Sequence, residues 1–496
     1  MAIHLKYLIK NKYASKNLLK KHLQNFWDGP LSFERNLQRI LKVNHSKIYY
    51  SDHHASHILS AIPFFDNFND EKKILNFTFD AFGDGLSSSI SILENLKLKI
   101  IHYNEFPNSL GLFYSAFTQY CGFLPNEGEY KLMALAAYGK PRYLKIIFEK
   151  MISLNGPSLK LNMNYFTFDT DDTRYFSPEF SKLFNFPRKS YSYDLEIGDK
   201  NFNLLADIAS SAQAALEVVM MRSIEWAINA TKIGNITISG GVAQNCRAIS
   251  VMAQSKAVET IIVPPSPGDS GAAIGAVNYV RMIKGNSVFP VSSLAFGSRT
   301  DHIYPPDYLF ALISETDFIR DAAQLVDNGE ILAIFDGKRE LGPRALGYRS
   351  IICDAGNRDV ISQLNSKIKK REQFRPLAPV ALESNAYKLF DIDFKLRKNF
   401  NWMGVICFAK SNFDLRYLGA LHIDKSARLQ IIEDKDSLLY QLAQTTETEL
   451  LINTSFNIAS DPIVLDYVDA FFNMTRMGLK YLLTPSGLFC LKSLEH

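Results

Sequence analysis

The chain of 496 residues is poor in cysteine, tryptophan and net charge: five Cys, three Trp, and 55 Lys+Arg against 51 Asp+Glu. Cys121, Cys246, Cys353, Cys407 and Cys490 are scattered, odd in number and without C-x-x-C spacing. That excludes a disulfide framework and a thiolate zinc site, and we read them as buried thiols. No apolar run approaches the ~18 residues of a membrane span, and the Lys-rich start lacks the apolar core and cleavage site of a signal peptide. The expectation is a cytoplasmic protein that meets no membrane. Internal repeats and low-complexity tracts are also missing, and with 47% hydrophobic residues the chain is not intrinsically disordered.

Charge is nonetheless uneven. Residues 1–50 hold ten Lys or Arg against Asp28 and Glu34. A solvated helical face and a polyanion contact both produce such a segment. Aromatic interleaving and a nucleic-acid motif are missing, so nucleic acid is not the expected partner.

Periodicity predicts an α/β fold. KIYY reads as a strand leading into a helix that begins near Ser51. Residues 73–79 (KILNFTF) read as a strand ending in an acidic glycine turn, Asp80 to Gly85, with a returning strand at ISIL. Asp207 to about Thr231 has helical periodicity. Strands follow at 235–239, stopping at Gly240-Gly241, and at 260–263, followed by Gly268-Asp269-Ser270-Gly271. Helices alternating with strands that end in such loops place a ligand site at the carboxyl ends of the strands. The aperiodic stretch 286–306 marks a domain boundary. Beyond it, short strands (ILAIF, INTSF) mix with basic loops in a second domain of about 180 residues.

Three of the ten His lie within 53–57. On a helix, His53 and His57 stand at i and i+4, on one face and close enough to share a metal ion. Asp80 and Asp269, in the glycine loops, would complete a mixed N/O site that suits Fe, Mn, Zn or Mg; a turn residue or helix cap is the alternative for each. Gly83, Gly85, Gly240, Gly241, Gly268 and Gly271 fit backbone contact with phosphate, and three such loops in one domain are what an actin-like ATPase uses on its nucleotide. In the second domain, KRELGPRALGYRS (338–350) and KKREQFRP (369–376) set Arg among small and apolar residues, which suggests a partly buried anion site. Asn453 to Asn457 (NTSFN) supplies short donors at a strand end, and the segment from His422 to Arg428 adds a further cation.

These segments resemble a known family, the O-carbamoyltransferases of the NodU/CmcH type. The matching motifs are DHHASH, DAFGDG, SLGLFYS, EYKLMALAAYG, SGGVAQNC, PPSPGDSGAAIGA, ELGPRALGYRS, KKREQFRPLAP and NTSFNIASDP, in order from residue 50 to about 485. The resemblance implies an actin/Hsp70-like carbamoyltransferase domain (1–290), a linker (291–318) and a YrdC-like α/β domain (319–496) that makes carbamoyl-adenylate from ATP and carbamoyl phosphate for transfer to a hydroxyl acceptor. It implies His53, His57, Asp80 and Asp269 as metal ligands, with His53, Asp80, Lys131 and Arg344 taking part in the chemistry. Gly240, Gly241, Asn245, Glu129 and Lys131 would surround the adenylate. Arg344, Arg349, Arg371, Arg375, Arg428, Ser455 and Asn457 would grip phosphate and nucleotide. The family's opening glycine-rich strand and its His-Asp pair have no counterpart before His53. The first domain is therefore expected to lack its first strands, through a mis-assigned start or split gene, because a partner protein supplies them, or because the chain is a non-catalytic relic. A tRNA threonylcarbamoylation enzyme is the other alternative. Tyr348, Lys425 and Asp461 replace the family's usual Asn, Gly and Glu.

Overall fold

The computed structural model describes residues 30–42, 44, 47–65, 72–186, 195–288, 291, 293–297, 304–458 and 461–492. Most of the basic start, Lys6 to Lys21, lies outside them. The chain divides into two compact units, with the main division between Pro290 and Val291.

Unit 1 begins with helix α1 (Pro30–Leu41). Residues Lys47 to Tyr50, expected as a strand, form none. The two tyrosines are exposed, and Tyr50 donates its hydroxyl hydrogen bond to the Glu34 carboxylate (2.6 Å) instead of joining a ladder. Helix α2 (His53–Ala61) follows, capped by Asp52, whose carboxylate accepts from the Ala55 N–H at 2.9 Å. Its residues 54–61 are all buried.

Strands β1 (Ile74–Gly83), β2 (Leu86–Glu94) and β3 (Lys97–Glu105) form an antiparallel meander. β1 is buried without interruption from Ile74 to Asp80, the pattern of a strand covered on both faces. The expected six-residue turn is narrower. β1 runs on to Gly83, and only Asp84 (φ +52°) and Gly85 (φ +87°) turn the chain, both left-handed as a two-residue hairpin requires. Helices α3 (Leu110–Tyr120) and α4 (Glu129–Ala136) come next, then a small hairpin of β4 (Ile152–Asn155) and β5 (Ser158–Leu161).

Helix α5 (Phe202–Thr231) starts five residues before the expected point. It is long and apolar enough to cross a membrane, a property the linear search for apolar runs missed, but 61% of its most apolar window is buried inside the protein. It packs on α3, α4 and helix α6 (Cys246–Met252) as a core helix. Strands β6 (Asn235–Ser239) and β7 (Thr260–Ile262) add parallel to β1, giving the order β3-β2-β1-β6-β7. Helix α7 (Ala272–Ile283) packs on α2. Much of this unit's core is aromatic: Phe117, Tyr120, Phe176 and Phe180 are almost wholly buried, and Phe117 meets Phe180 edge to face at 4.8 Å.

Unit 2 is built on an eight-stranded mixed sheet, order β15-β11-β16-β10-β9-β17-β18-β8. The strands are β8 (Phe310–Ser314), β9 (Leu332–Phe335), β10 (Arg349–Asp354), β11 (Ala378–Leu382), β15 (Gln430–Ile432), β16 (Leu451–Ser455), β17 (Tyr481–Thr484) and β18 (Gly487–Leu491). A second, three-stranded sheet joins β12 (Phe390–Asp391), β13 (Cys407–Ala409) and β14 (Ser426–Ala427). Helices α8 (Phe318–Asp327) and α9 (Leu438–Thr445) pack on the large sheet through Ala322, Val326, Leu439 and Leu442 against Leu332, Ile334 and Ile352. Helix α10 (Tyr467–Met477) precedes β17. Within the stretch read as a linker, 291–318, several described residues take part in unit 2. Phe296 and Gly297 donate to the Arg339 carbonyl, and β8 is the edge strand of the sheet, paired with β18.

Candidate functional site

The carboxyl ends of β1 and β6, the loop after β7 and the first turns of α2 converge in unit 1. Because α2 is helical from His53, the His53 and His57 imidazoles project from one face, with their Nε2 atoms 3.1 Å apart. Asp80 Oδ2 lies 3.0 Å from His53 Nε2 and 3.5 Å from His57 Nε2. Asp269 Oδ1 lies 3.7 and 3.3 Å from the same two atoms. The four donor atoms all sit within 4.8 Å of one another.

Their supports are specific. The His57 ring faces the Pro267 carbonyl through Nδ1 at 3.1 Å. A carbonyl only accepts, so Nδ1 carries the hydrogen and Nε2 turns its lone pair to the cluster. Asp80 accepts from the Gly241 N–H through its other oxygen at 3.0 Å. Burial would push the Asp80 carboxyl up, but His53, His57 and the Gly241 N–H outweigh it and hold the group far below the usual carboxylate range. The hydrogen bond to Asp80 raises His53 against the opposing effect of burial. A Cβ on Gly83 would fall 2.0 Å from His53 Cδ2, so this glycine makes room for the imidazole, not for a phosphate. The third histidine, His54, turns away to Ser89 Oγ (2.9 Å). Once His53 Nε2 gives up its proton, two imidazole lone pairs and two carboxylates aimed at one point form a donor set that fits a divalent cation.

The other residues expected around the adenylate are placed differently. Gly240 (φ +86°) packs against the Phe79 carbonyl, which a Cβ would approach to 2.2 Å, and the Gly241 N–H serves Asp80. Asn245 is a structural residue. Its amide pairs reciprocally with that of Gln213 (2.9 and 3.0 Å), and its oxygen caps α6 at the Ala248 N–H. Glu129 accepts from Ser115 Oγ (2.6 Å) and the Asn126 N–H, and Lys131 stands over the Phe123 ring.

In unit 2 the basic motifs separate into two kinds of arginine. Arg349 is completely buried. It donates to the carbonyls of Asp336 (3.0 Å), Gly337 (3.0 Å) and Tyr348 (2.9 Å) and stacks 3.4 Å from the centre of the Phe335 ring. A guanidinium so committed holds the loop and does not grip phosphate, contrary to expectation. Glu340 assists by accepting from the Leu346 and Arg349 N–H groups. Arg344, on the same loop, is half-buried, as are Arg371, Arg375 and Arg428. Arg371 donates to Thr454 Oγ1, and Arg375 pairs with Glu372 at 3.1 Å. The departure at Tyr348 is absorbed inside the fold, its hydroxyl donating to Asp434 at 2.7 Å.

Lys369 is the residue that sequence reasoning passed over. It is 3% exposed, and its ammonium meets the Ser455 carbonyl (2.7 Å) and Oγ (3.3 Å) and the Asn457 carbonyl and Oδ1 (2.9 Å). Ser455 and Asn457, expected in the phosphate grip, thus orient a lysine. Burial first, then the charges of Arg371 and Arg375, push its amine down to about 7. The signal lay in the spacing of Lys369 and Arg371, but nothing in the linear run tells Lys369 from Lys370. The latter is exposed, at φ +46° where the chain leaves its helical turn.

Comparison with known proteins gives this geometry its family. Residues 3–278 match the model of the carbamoyltransferase N-terminus, and residues 323–489 match that of the carbamoyltransferase C-terminus. The chain belongs to the carbamoyltransferase family. An uncharacterized protein of Synechocystis sp. is 33% identical over 512 residues, covering 96% of this chain and 79% of the relative. Nodulation protein NolO of Bradyrhizobium diazoefficiens is 29% identical over 446 residues (84% and 75%), and nodulation protein U of Azorhizobium caulinodans is 32% identical over 228 (45% and 39%). Among solved structures, full-length HypF in its phosphate- and nucleotide-bound form overlays 34% of this chain and 21% of its own at 17% identity and a TM-score of 0.27, too limited an overlay to bear on function. The family is of the NodU type, and the chain is a carbamoyltransferase enzyme. The histidine–aspartate cluster falls within the N-terminal match, and Lys369 with its arginines within the C-terminal one.

Proposed function

We propose that this chain is an ATP-dependent O-carbamoyltransferase acting in the cytoplasm, in which unit 2 forms carbamoyl-adenylate and unit 1 transfers the carbamoyl group to a hydroxyl of a sugar-containing acceptor. The observation that carries the reading is the convergence of His53, His57, Asp80 and Asp269 within the N-terminal family match. We assign unit 1 an actin/Hsp70-like fold and unit 2 a YrdC-like fold on the motifs that each contains.

In unit 2 the reaction joins the carbamoyl group of carbamoyl phosphate to the α-phosphate of ATP, consuming water and releasing phosphate and pyrophosphate. Negative charge collects on the phosphate oxygens throughout, and Lys369, Arg371, Arg375, Arg344 and Arg428 offset it. Arg349, Ser455 and Asn457 position these cations. In unit 1 the acceptor oxygen bonds to the carbamoyl carbon while the bond to adenylate breaks, so that AMP leaves and the hydroxyl loses its proton. A divalent ion, Fe, Mn, Zn or Mg, held by His53, His57, Asp80 and Asp269 would supply a Lewis acid for the carbonyl oxygen that becomes negative. Pro267 and Gly241 fix the orientation of His57 and Asp80 for that ion.

Single-turnover incubation of the purified chain with carbamoyl phosphate and labelled ATP tests this. Wild type is expected to yield pyrophosphate and carbamoyl-adenylate. Arg344→Ala should abolish both, whereas His53→Ala should spare them and block transfer. Equal loss of the first step in the two variants would overturn the division of labour, and no adenylate from wild type would overturn the reading itself.

A further inference from the structure

The positive charge near the chain's start has a definite place in unit 1. From residue 30 to residue 50 the sequence holds Arg35, Arg39, Lys42 and Lys47 against one acid, Glu34. Glu34 is buried, and its carboxylate accepts from the Tyr50 hydroxyl (2.6 Å) and the Gln38 amide (3.2 Å). The next acid along, Asp52, caps α2. The four cations are exposed. Arg35, Arg39 and Lys42, at i, i+4 and i+7, make one stripe along α1 and the residue after it. Beside that stripe stand Ile40, 69% exposed, and Leu41, 57% exposed. The rings of Tyr49 and Tyr50 are exposed as well. Two contacts tie these groups together: Tyr50 reaches Glu34 on α1, and the Lys284 ammonium lies 4.8 Å from the centre of the Tyr49 ring. Ile283, which ends α7 next to Lys284, is 52% exposed. One face of unit 1 therefore presents cations, aliphatic side chains and aromatic rings side by side.

That mixture narrows the partner. A solvated face uses the cations and gains nothing from the aliphatic groups, and a nucleic-acid backbone likewise leaves Ile40, Leu41 and Ile283 without a use. An anionic bilayer uses all three kinds of group. Lys and Arg meet its headgroup charge, tyrosine rings sit at headgroup level, and aliphatic side chains enter the acyl boundary. We propose that this face of unit 1 docks on an anionic phospholipid bilayer as a peripheral contact. The expectation that the chain meets no membrane concerned spanning runs, and a surface contact needs none. Because His53 follows Tyr50 by three residues, docking holds the histidine–aspartate cluster close to the lipid surface. The contact is independent of the reaction proposed above.

Flotation of the full chain with lipid vesicles tests this by binding alone. With phosphatidylcholine and phosphatidylglycerol in equal parts the chain should float with the lipid, and with phosphatidylcholine alone it should stay behind. Binding should weaken as salt is raised, because the surface charge is then screened. Arg35→Glu, Arg39→Glu and Lys42→Glu combined should lower the partition coefficient by about a hundredfold, roughly fivefold for each cation lost. Ile40→Ser with Leu41→Ser should lower it by at least about tenfold and leave the salt dependence as it was. Both variants change exposed side chains, and circular dichroism checks that they fold. Equal binding to neutral vesicles, no binding to the mixed ones, or binding unchanged in both variants would overturn the proposal. Tighter binding of bulk tRNA than of vesicles, lost in the charge variant, would assign the face to nucleic acid instead. Self-association in sedimentation that the serine variant abolishes would assign it to a second copy of the chain, and the bilayer contact would fall.

Discussion

The tightest constraint at the scale of single residues is the one between Gly83 and His53. The imidazole occupies the space a Cβ would need, and the hydrogen bond from the His53 N–H to Asp84 ties the helix start to the hairpin turn. Gly83→Ala should therefore displace one ligand of four without touching any donor atom. We expect the affinity for a divalent ion, read by titration against a competing chelator, to fall by at least about tenfold, as for lost supports of other metal ligands; unchanged affinity would sink the claim. Lys369 carries a second expectation. Its amine, pushed down to about 7, is largely uncharged at about pH 8, and an arriving polyphosphate favours the charged form. Binding of ATP at that pH should take up close to one proton. Calorimetry in buffers of different ionisation enthalpy reads this directly, and Lys369→Met should lose it. Uptake unchanged in the variant would show that another group titrates.

Among the elements, the loop from Asp336 to Arg349 is held by groups whose charge is expensive to bury. Asp336 accepts from the Leu438 N–H at the start of α9 (2.9 Å), yet burial, with Asp434 and Glu340 nearby, pushes its carboxyl up to about 6. A carboxyl raised in the folded state adds stability that is fully present below its unfolded value, near 4, and is lost as pH rises through about 6. Unit 2 should lose up to roughly 3 kcal/mol over that window from this group. Asp336→Asn should flatten the slope in denaturant titrations; an unchanged slope would rule the group out. Elements of this kind also mark the limit of what the sequence discloses. β1, β6, β7 and α5 were legible because burial on both faces leaves continuous apolar runs, and helical period leaves a pattern from Asp207 to Thr231. The proximity of the i, i+4 histidines was legible because spacing along α2 dictates it, and the structure brings Asp80 and Asp269, from two separate loops, to the same point. The tyrosines of KIYY passed for a strand because β propensity says nothing about whether a partner strand exists. β8 fell inside the segment taken as a linker, and its pairing partner β18 lies nearly 180 residues away, which the linear sequence does not show. Arg349 looked like its neighbours because a linear motif does not say which guanidinium faces the core.

For the whole molecule, the division into two units with separate cores predicts separable energetics. Unit 1 buries its aromatic cluster and α5, whereas unit 2 buries the α8–α9 face of its sheet, and each contains one of the two candidate binding sites. A ligand that binds only the folded form stabilises it in proportion to the logarithm of its concentration over Kd, about 2.7 kcal/mol at a hundredfold excess. A divalent ion bound by His53, His57, Asp80 and Asp269 should thus raise the melting of unit 1, and ATP bound near Lys369 that of unit 2. Scanning calorimetry of the full chain is expected to show two transitions. The metal should move one and ATP the other, each by about 5–10 °C at that excess for units of this size. His53→Ala should cancel the first shift and leave the second, and Lys369→Met should do the reverse. If either ligand moved both transitions together, or if one variant abolished both shifts, the two sites would be energetically one, and assigning a separate half-reaction to each unit would lose its physical basis.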